Sequence, residues 1–460
     1  MIFLPETFDE ENNLSYSRLM KTSVLKKTGL IMLGLAACAP AMQAYDFSVG
    51  GIYYNYTGDR KGAVVTWASL TEPSYSGMIT IPAEVTFRME TLKVKQIDSY
   101  AFFNCQGITS VTLPEGITAI GDQAFSHCYA MTSVNLPQTL TRIGDYAFEF
   151  CEDMTSITLP KSLTSLGYSV FQECRGLQEI AVDEENPFYT SEDGILYLRF
   201  QDQAVLVQYP ASKPAGEFTV PDDIQEITDY AFTPSLYLKK ITIGPNVTKV
   251  TDGTFCECTA MQEFEIADDN AVMSAVDGVL FNKDATTLIQ YPLGRADEAY
   301  AVPEGTQHLA ALSMSNSRLK SVDFPATLTS VGDYALAGSA QLTSVTSHAT
   351  VPPATGTMAF DNSLLASAVL FVNEEDIPAY STAAGWSGFS RIRAIGSSAL
   401  GTVSATPGVS VSGLTVTADG AIRVYDTTGR LVASGQGTAT LPGKGLYIVQ
   451  ANGSTVKLSL

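Results

Sequence analysis

Four phenylalanines, Phe102, Phe125, Phe148 and Phe171, and four cysteines, Cys105, Cys128, Cys151 and Cys174, each advance by 23 residues without a slip. A period this regular predicts a solenoid, in which each copy has too little apolar surface to fold alone and stacked copies share one continuous core. The copy Ile120-Gly-Asp-Gln-Ala-Phe125-Ser-His-Cys128-Tyr-Ala-Met131-Thr-Ser-Val134-Asn-Leu136-Pro137 shows the plan, and the next runs from Ile143 through Phe148, Cys151, Met154, Ile157 and Leu159 to Pro160. Further copies start at Ile97, Leu166, Ile227, Val250, near His308 and at Val331. Ser235 and Ser339 replace cysteine, Leu336 replaces phenylalanine, and the copy near His308 keeps only its second half, so it should be the softest.

Within each copy a stretch such as Thr109-Ser-Val111-Thr-Leu113 alternates polar with apolar and is rich in β-branched residues, which predicts a strand with one packed face. Stacked copies then form a parallel sheet with neighbours about 4.8 Å apart. The Asp-x-x-Phe opening of each copy predicts a short helical turn capped by aspartate. Asp122, Asp145, Asp229, Asp252 and Asp333 recur at this offset, where a calcium ladder is the less economical alternative. Two longer units near 183–226 and 267–307 resemble each other. They carry Asp193-Gly-Ile-Leu-Tyr197 with Gln208-Tyr-Pro210, and Asp277-Gly-Val-Leu-Phe281 with Gln290-Tyr-Pro292, giving a second repeat of 84 residues. The expected fold is therefore mainly β with short helical turns, a solenoid of parallel stacked strands.

Residues 45–96 lack the short period but hold strand-forming runs, and are expected to be an N-terminal β cap. The solenoid should span 97–395. Residues 396–407, rich in Gly, Ser, Ala and Thr, form the expected linker, and 408–460 carry short strands of a small β-sandwich. At the other end Lys21, Lys26 and Lys27 precede the apolar run Gly29–Ala37 and small residues up to Ala44, the pattern of a secretory signal starting at Met20. Leu35-Ala-Ala-Cys38 offers a competing lipoprotein cleavage site. The apolar run falls short of the roughly 20 residues of a membrane span, so no transmembrane segment is expected in the mature chain.

The net charge of −21 disfavours nucleic acid and anionic bilayers as partners. Six of the seven cysteines lie after residue 44, an even number that admits disulfides between coils, but serine substitution at the same offset favours buried thiols. Cys256 and Cys258 are one residue apart and do not have zinc-pair spacing, so neither metal nor cofactor is expected. No nucleophile elbow, zinc-protease helix or phosphate loop occurs, and His127 beside Cys128 lacks an orienting partner in the sequence, so no catalytic residue is assigned. The outward strand side remains as the candidate binding face: Ser110, Thr112, Ser133, Asn135, Ser156, Thr158, Lys240, Thr242, Glu263 and Glu265, with Ser344 and Thr346 further on.

These units, the opening Tyr45-Asp-Phe-Ser-Val-Gly-Gly-Ile-Tyr-Tyr-Asn55 and the closing Leu370-Phe-Val372, Ala379-Tyr380, Gly385-Trp386 and Phe389-x-x-Ile392 resemble the leucine-rich repeats of BspA-like surface proteins. Val424-Tyr-Asp-x-x-Gly429-Arg-Leu-Val432 and Gly445-Leu-Tyr-Ile-Val449 resemble a type IX secretion C-terminal sorting domain. Together the resemblances imply a secreted or outer-membrane surface protein of a Gram-negative bacterium that adheres to extracellular proteins or glycoproteins and engages secretion machinery through 408–460. A structural surface coat is the alternative, followed by a glycan-binding exoprotein.

Overall fold

The computed structural model describes residues 45–69, 72–251, 253–396, 409–412, 415–426, 430–442, 446–451 and 454–459. The signal segment with Cys38, residues 397–407 of the linker, and Asp252 lie outside these residues. Three ladders run along the solenoid. In the first, Ile108–Thr112 pairs in parallel with Ser133–Asn135, and Ser156–Leu159 with Glu179–Val182. Lys240–Ile243 lies between Glu217–Thr219 and Glu263–Ile266, and Ser321–Phe324 between Ala299–Ala301 and Ser344–Ser347. Alternation places Ile157 and Leu159 inside and Ser156 and Thr158 outside. The second ladder consists of two-residue strands such as Ala119–Ile120, Arg142–Ile143 and Ser165–Leu166.

The third ladder is made of turns. Two residues before and two after Phe102, Phe125, Phe148, Phe171 and Phe255 the backbone is left-handed, as at Gln123 and His127 or Tyr146 and Phe150, whereas Phe232 has only the first of the pair, at Tyr230. Alternating handedness aims their N–H groups along the solenoid axis. Gln123, Phe125 and His127 accordingly donate to the carbonyls of Asp145, Ala147 and Glu149 in the next coil, at 2.8, 2.8 and 2.9 Å. This geometry corrects the expected role of the aspartates. Because the Asp-x-x-Phe segment is a chain of tight turns, the donors nearest its carboxylates belong to the following coil: Asp145 N donates to Asp122 Oδ1 (3.0 Å) and Tyr168 N to Asp145 Oδ1 (2.9 Å). The preceding glycine permits the approach, since a Cβ on Gly144 would stand 2.3 Å from Asp122 Oδ1.

The phenylalanines stack with rings nearly parallel, 4.8 Å apart for Phe102 and Phe125, 5.2 Å for Phe125 and Phe148, and 6.0 Å for Phe148 and Phe171. These separations follow the strand spacing. The degenerate copy near His308 still forms a complete coil, because Met314 fills the phenylalanine place and Leu312, Met314 and Asn316 continue the turn ladder. Its Ser317 takes the cysteine offset and meets the Ser339 hydroxyl at 3.1 Å.

The longer units are three-stranded antiparallel hairpins spliced into the second ladder. Tyr189–Glu192, Ile195–Phe200 and Gln203–Gln208 pair in series, and the last then pairs in parallel with Glu226–Ile227. Met273–Val276, Val279–Asn282 and Thr287–Gln290 repeat this before His308–Leu309. Phe47–Val49, Ile52–Tyr56 and Gly62–Thr66, followed by the parallel Glu90–Ile97, have the same topology. The N-terminal cap is thus a third copy of the longer unit. Its Gly50-Gly51-Ile-Tyr-Tyr54 corresponds to Asp193-Gly194-Ile-Leu-Tyr197, and all three two-residue turns have positive φ at both positions, the hairpin turn whose twist matches its strands. Gln208 and Gln290 each donate Nε2 to the following tyrosine carbonyl and to the next coil, at Ala231 and Ser313, which satisfies acceptors where the turn ladder is cut short.

At the far end Tyr380, Trp386 and Phe389 close the core. Tyr380 OH donates to Ala349 O (2.8 Å) and Trp386 Nε1 to Pro353 O (2.7 Å). The C-terminal strands form one antiparallel sheet. Thr415–Asp426 pairs along one edge with Leu431–Thr440, and along the other with Val409–Ser412 and then Leu446–Ala451. Register shifts beside Gly420 and Gly437, and both arms contribute to a single apolar cluster that includes Val416, Ile422, Val424 and Val449.

Candidate binding surfaces

The first ladder brings the candidate face together in two rows. Ser110 registers with Ser133 and Thr112 with Asn135, while Ser156 registers with Glu179 and Thr158 with Ala181. Further along, Lys240 lies between Glu217 and Glu263, and Thr242 between Thr219 and Glu265. Hairpin tips divide this lane. Ile180 N donates to Gly194 O and Phe264 N to Gly278 O, both at 2.9 Å, so each tip terminates one panel of strands. The panels differ in chemistry. The first presents hydroxyls and an amide, with the Glu179 carboxylate at its end; the second is charged, with Lys240 Nζ 2.9 Å from Glu265 Oε2 and Thr242 Oγ1 donating to the same oxygen at 3.0 Å. Those two bonds hold the Glu265 carboxyl below its ordinary range, and the bond to Glu265 raises Lys240. The third includes Ser321, Asp323, Ser344 and Thr346, with His348 Nε2 2.9 Å from Asp323 Oδ1.

Not every residue of the lane is free for a ligand. Asn135 accepts from Leu113 N (2.8 Å) and donates to Leu113 O (3.0 Å), closing the end of the neighbouring strand. Cations behind the tips do similar work. Lys213, buried, lies 2.8 Å from the Asp193 carboxylate and donates to the Asp193 carbonyl, and Arg295 reaches Asp277 O (2.5 Å) and Asp277 Oδ2 (3.1 Å). Both follow the repeated Gln-Tyr-Pro by the same three-residue step, a spacing visible in the sequence.

The six described cysteines are buried free thiols. Cys128, Cys151, Cys174 and Cys258 donate to the carbonyls of Phe102, Phe125, Phe148 and Phe232 in the preceding coils at 3.0–3.3 Å. Burial pushes the Cys258 thiol up to about 12 and Cys128 higher. Because Cys128 points inward, it does not form a nucleophile with the neighbouring His127. His127 lies on the turn ridge instead, where Ser126 Oγ is 2.8 Å from its Nδ1 and donates to Glu149 Oε2 at 2.9 Å. The hydroxyl stands between imidazole and carboxylate, so the carboxylate does not orient the imidazole as a base needs.

This ridge was not singled out by the sequence reading. Phe103, His127, Tyr129 and Phe150 meet there as a half-buried aromatic group beside Glu149 and Glu173, whose carboxyls are pushed up to about 7, chiefly by burial. The 23-residue step from His127 to Phe150 was the available signal. Among the described residues no group of three or more His, Cys, Asp or Glu side chains is placed to hold a metal, and no helix is long and apolar enough to cross a membrane.

The chain is similar to several solved structures. A leucine rich cell surface protein from Faecalibacterium prausnitzii is 20% identical, with 68% of this chain and 96% of that chain covered and a TM-score of 0.39. The pneumococcal vaccine antigen PcpA is 19% identical over 76% of this chain and 98% of its own, at TM-score 0.37. A leucine-rich repeat protein from Bacteroides ovatus is 19% identical over 76% and 77%, at TM-score 0.32. No curated protein matches. The family described as BspA type Leucine rich repeat region matches in six copies over residues 84–191, 211–288 and 299–383, more than half of the sequence, and the chain belongs to that family.

Proposed function

We propose that this is an exported, non-enzymatic cell-surface protein that binds macromolecules of a host or neighbouring cell through its strand face. The observation that carries the reading is the open outer side of the first ladder, where Ser133, Ser156, Thr158, Glu263 and Glu265 stand exposed at fixed register with none of the described elements packed over them. Solenoids bind partners on such extended faces. Export follows from the signal pattern ending at Ala44, and surface delivery from the resemblance of 408–460 to a type IX sorting domain, which makes that segment the contact with secretion machinery.

The test is an array of extracellular matrix proteins, plasma glycoproteins and glycans probed with the chain from Tyr45 onward. Binding that is lost on Ser133→Arg with Ser156→Arg supports the reading. Binding that survives this double substitution moves the site elsewhere, and no binding to any array member favours a coat.

A further inference from the structure

On the turn ridge, side chains one, two and four residues after the core phenylalanine stack from coil to coil in three columns. Phe103 lies 5.4 Å from His127, His127 lies 4.6 Å from Phe150, and Tyr129 is 5.7 Å from His127 and 6.3 Å from Phe150, ring centre to ring centre. All four rings are half-buried, so each keeps part of its surface open. Exposed rings in register on one ridge are not needed for the core, which is closed beneath them by Phe125 and Phe148.

The charge beside the rings is one-sided. Glu149 and Glu173 are buried, at 8% and 6% exposure, and Glu152 is half-buried next to Tyr129. Arg175 is the one cation in these columns between Phe102 and Leu177. It is already engaged, 2.7 Å from Glu173 and 2.9 Å from Glu257 of a later coil. The Glu149 carboxyl accepts from the Ser126 hydroxyl, and Glu152 forms no ion pair among the described residues. Burial is the main cause that raises the carboxyls of Glu149 and Glu173, and the neighbouring carboxylates Glu173 and Glu257 add to it.

We propose that this ridge is a second binding surface, separate from the strand face, that takes lysine or arginine side chains of a partner protein: the cation lies on Phe150 and Tyr129, with Glu152 as its counter-ion. Ring faces attract cations through their quadrupole, most strongly when partly desolvated. Arg175 provides an internal precedent, since a guanidinium already occupies the fourth-residue column one coil further on, beside Glu173. A neutral glycan could stack on the rings but would leave the carboxylates uncompensated, and an anionic one would be repelled.

The test uses the chain from Tyr45 to Leu460 and a short fluorescein-labelled peptide of alternating lysine, arginine and glycine, read by anisotropy at physiological ionic strength. The same peptide with glutamine at the basic positions is the control, and a chito-oligosaccharide is titrated in parallel. Saturable binding of the basic peptide is expected, weakened about tenfold by Phe150→Leu with Tyr129→Leu. These substitutions keep an apolar side chain and the net charge while removing the rings. Glu152→Gln, at a half-buried site, should weaken binding with no change in melting temperature. Ser133→Arg with Ser156→Arg on the strand face should leave peptide binding intact, so failure here and failure of the strand-face reading are separable. Equal affinity of native protein and ring variants would show general charge attraction and overturn the proposal. So would absence of binding, or a ring-dependent site that takes the oligosaccharide instead.

Discussion

The thiol of Cys128 donates to the carbonyl of Phe102, 3.2 Å away in the preceding coil, and that same carbonyl accepts the amide of Cys105 at 3.1 Å. Each cysteine is thus a donor between coils as well as core volume. This explains why serine can take its place: Ser339 Oγ donates to Met314 O at 3.2 Å in the same way.

Replacing Cys128 and Cys151 with serine should therefore cost about 1 kcal/mol or less per site, and replacing both with alanine on the order of 1–3 kcal/mol in total, because alanine leaves a cavity and takes away one of the two donors to the carbonyl. Denaturant unfolding measures the difference. Thiol reagents should label none of the six cysteines in the native protein and all of them after denaturation, and non-reducing mass spectrometry should recover no peptide joining Cys128 to Cys151.

Glu149 makes stability depend on pH. Its carboxyl rises from an ordinary 4.5 to about 7 in the folded chain, so the folded state holds the proton more tightly than the unfolded one. Its contribution is complete below about 4.5 and is lost as pH climbs through about 7. Glu149→Gln removes the titrating group while leaving an acceptor for Ser126. The variant should match the native chain at low pH and exceed its stability by on the order of 1–3 kcal/mol at pH 8, as read from urea midpoints across the range.

Lys213→Met should loosen the first internal hairpin tip. The ion pair to the exposed Asp193 carboxylate is worth less than about 1 kcal/mol, but the bond from a buried ammonium to the Asp193 carbonyl holds the turn itself. Hydrogen exchange at the Ile180 amide, whose acceptor is Gly194 O, should quicken about tenfold. Arg295→Met should do the same at Phe264, whereas Asp193→Ala should have little effect.

Deleting residues 408–460 should leave the unfolding transition of the repeat array unchanged, because the C-terminal strands have their own apolar cluster and their own pairing. In a cell with the matching secretion system the truncated protein should collect in the periplasm, as fractionation and surface proteolysis would show. Normal display of the truncated chain would remove the sorting role.

The solenoid was legible because a shared core forces the same residue type to return at the same offset, which is what Phe102 through Phe171 and Cys105 through Cys174 display. The aspartates were misassigned because Asp-x-x-Phe fits both a capped helix and a run of alternating-handed turns, and only the positive φ at Gln123 or Tyr146 separates the two. The kinship of the N-terminal cap was hidden by Gly50 in place of Asp193, which drops the carboxylate while keeping the turn. The strand face could be placed in sequence, but Asn135 could not be told from its neighbours, since its bonds to Leu113 depend on register across coils. The aromatic ridge mixes residue types at three offsets, and stacking alone brings them together.

Because one hairpin design both opens the array and divides it, the stretch between equivalent turns is a cassette with matching ends. Excising Asp193 through Val276, 84 residues, would join Glu192 to Asp277 and leave an intact turn, an intact arginine clamp and a strand ready to pair. Tandem duplication would lengthen the array by the same quantum. Unequal recombination can therefore change the length of the array without exposing its core, and the number of panels becomes a heritable trait that varies in whole steps.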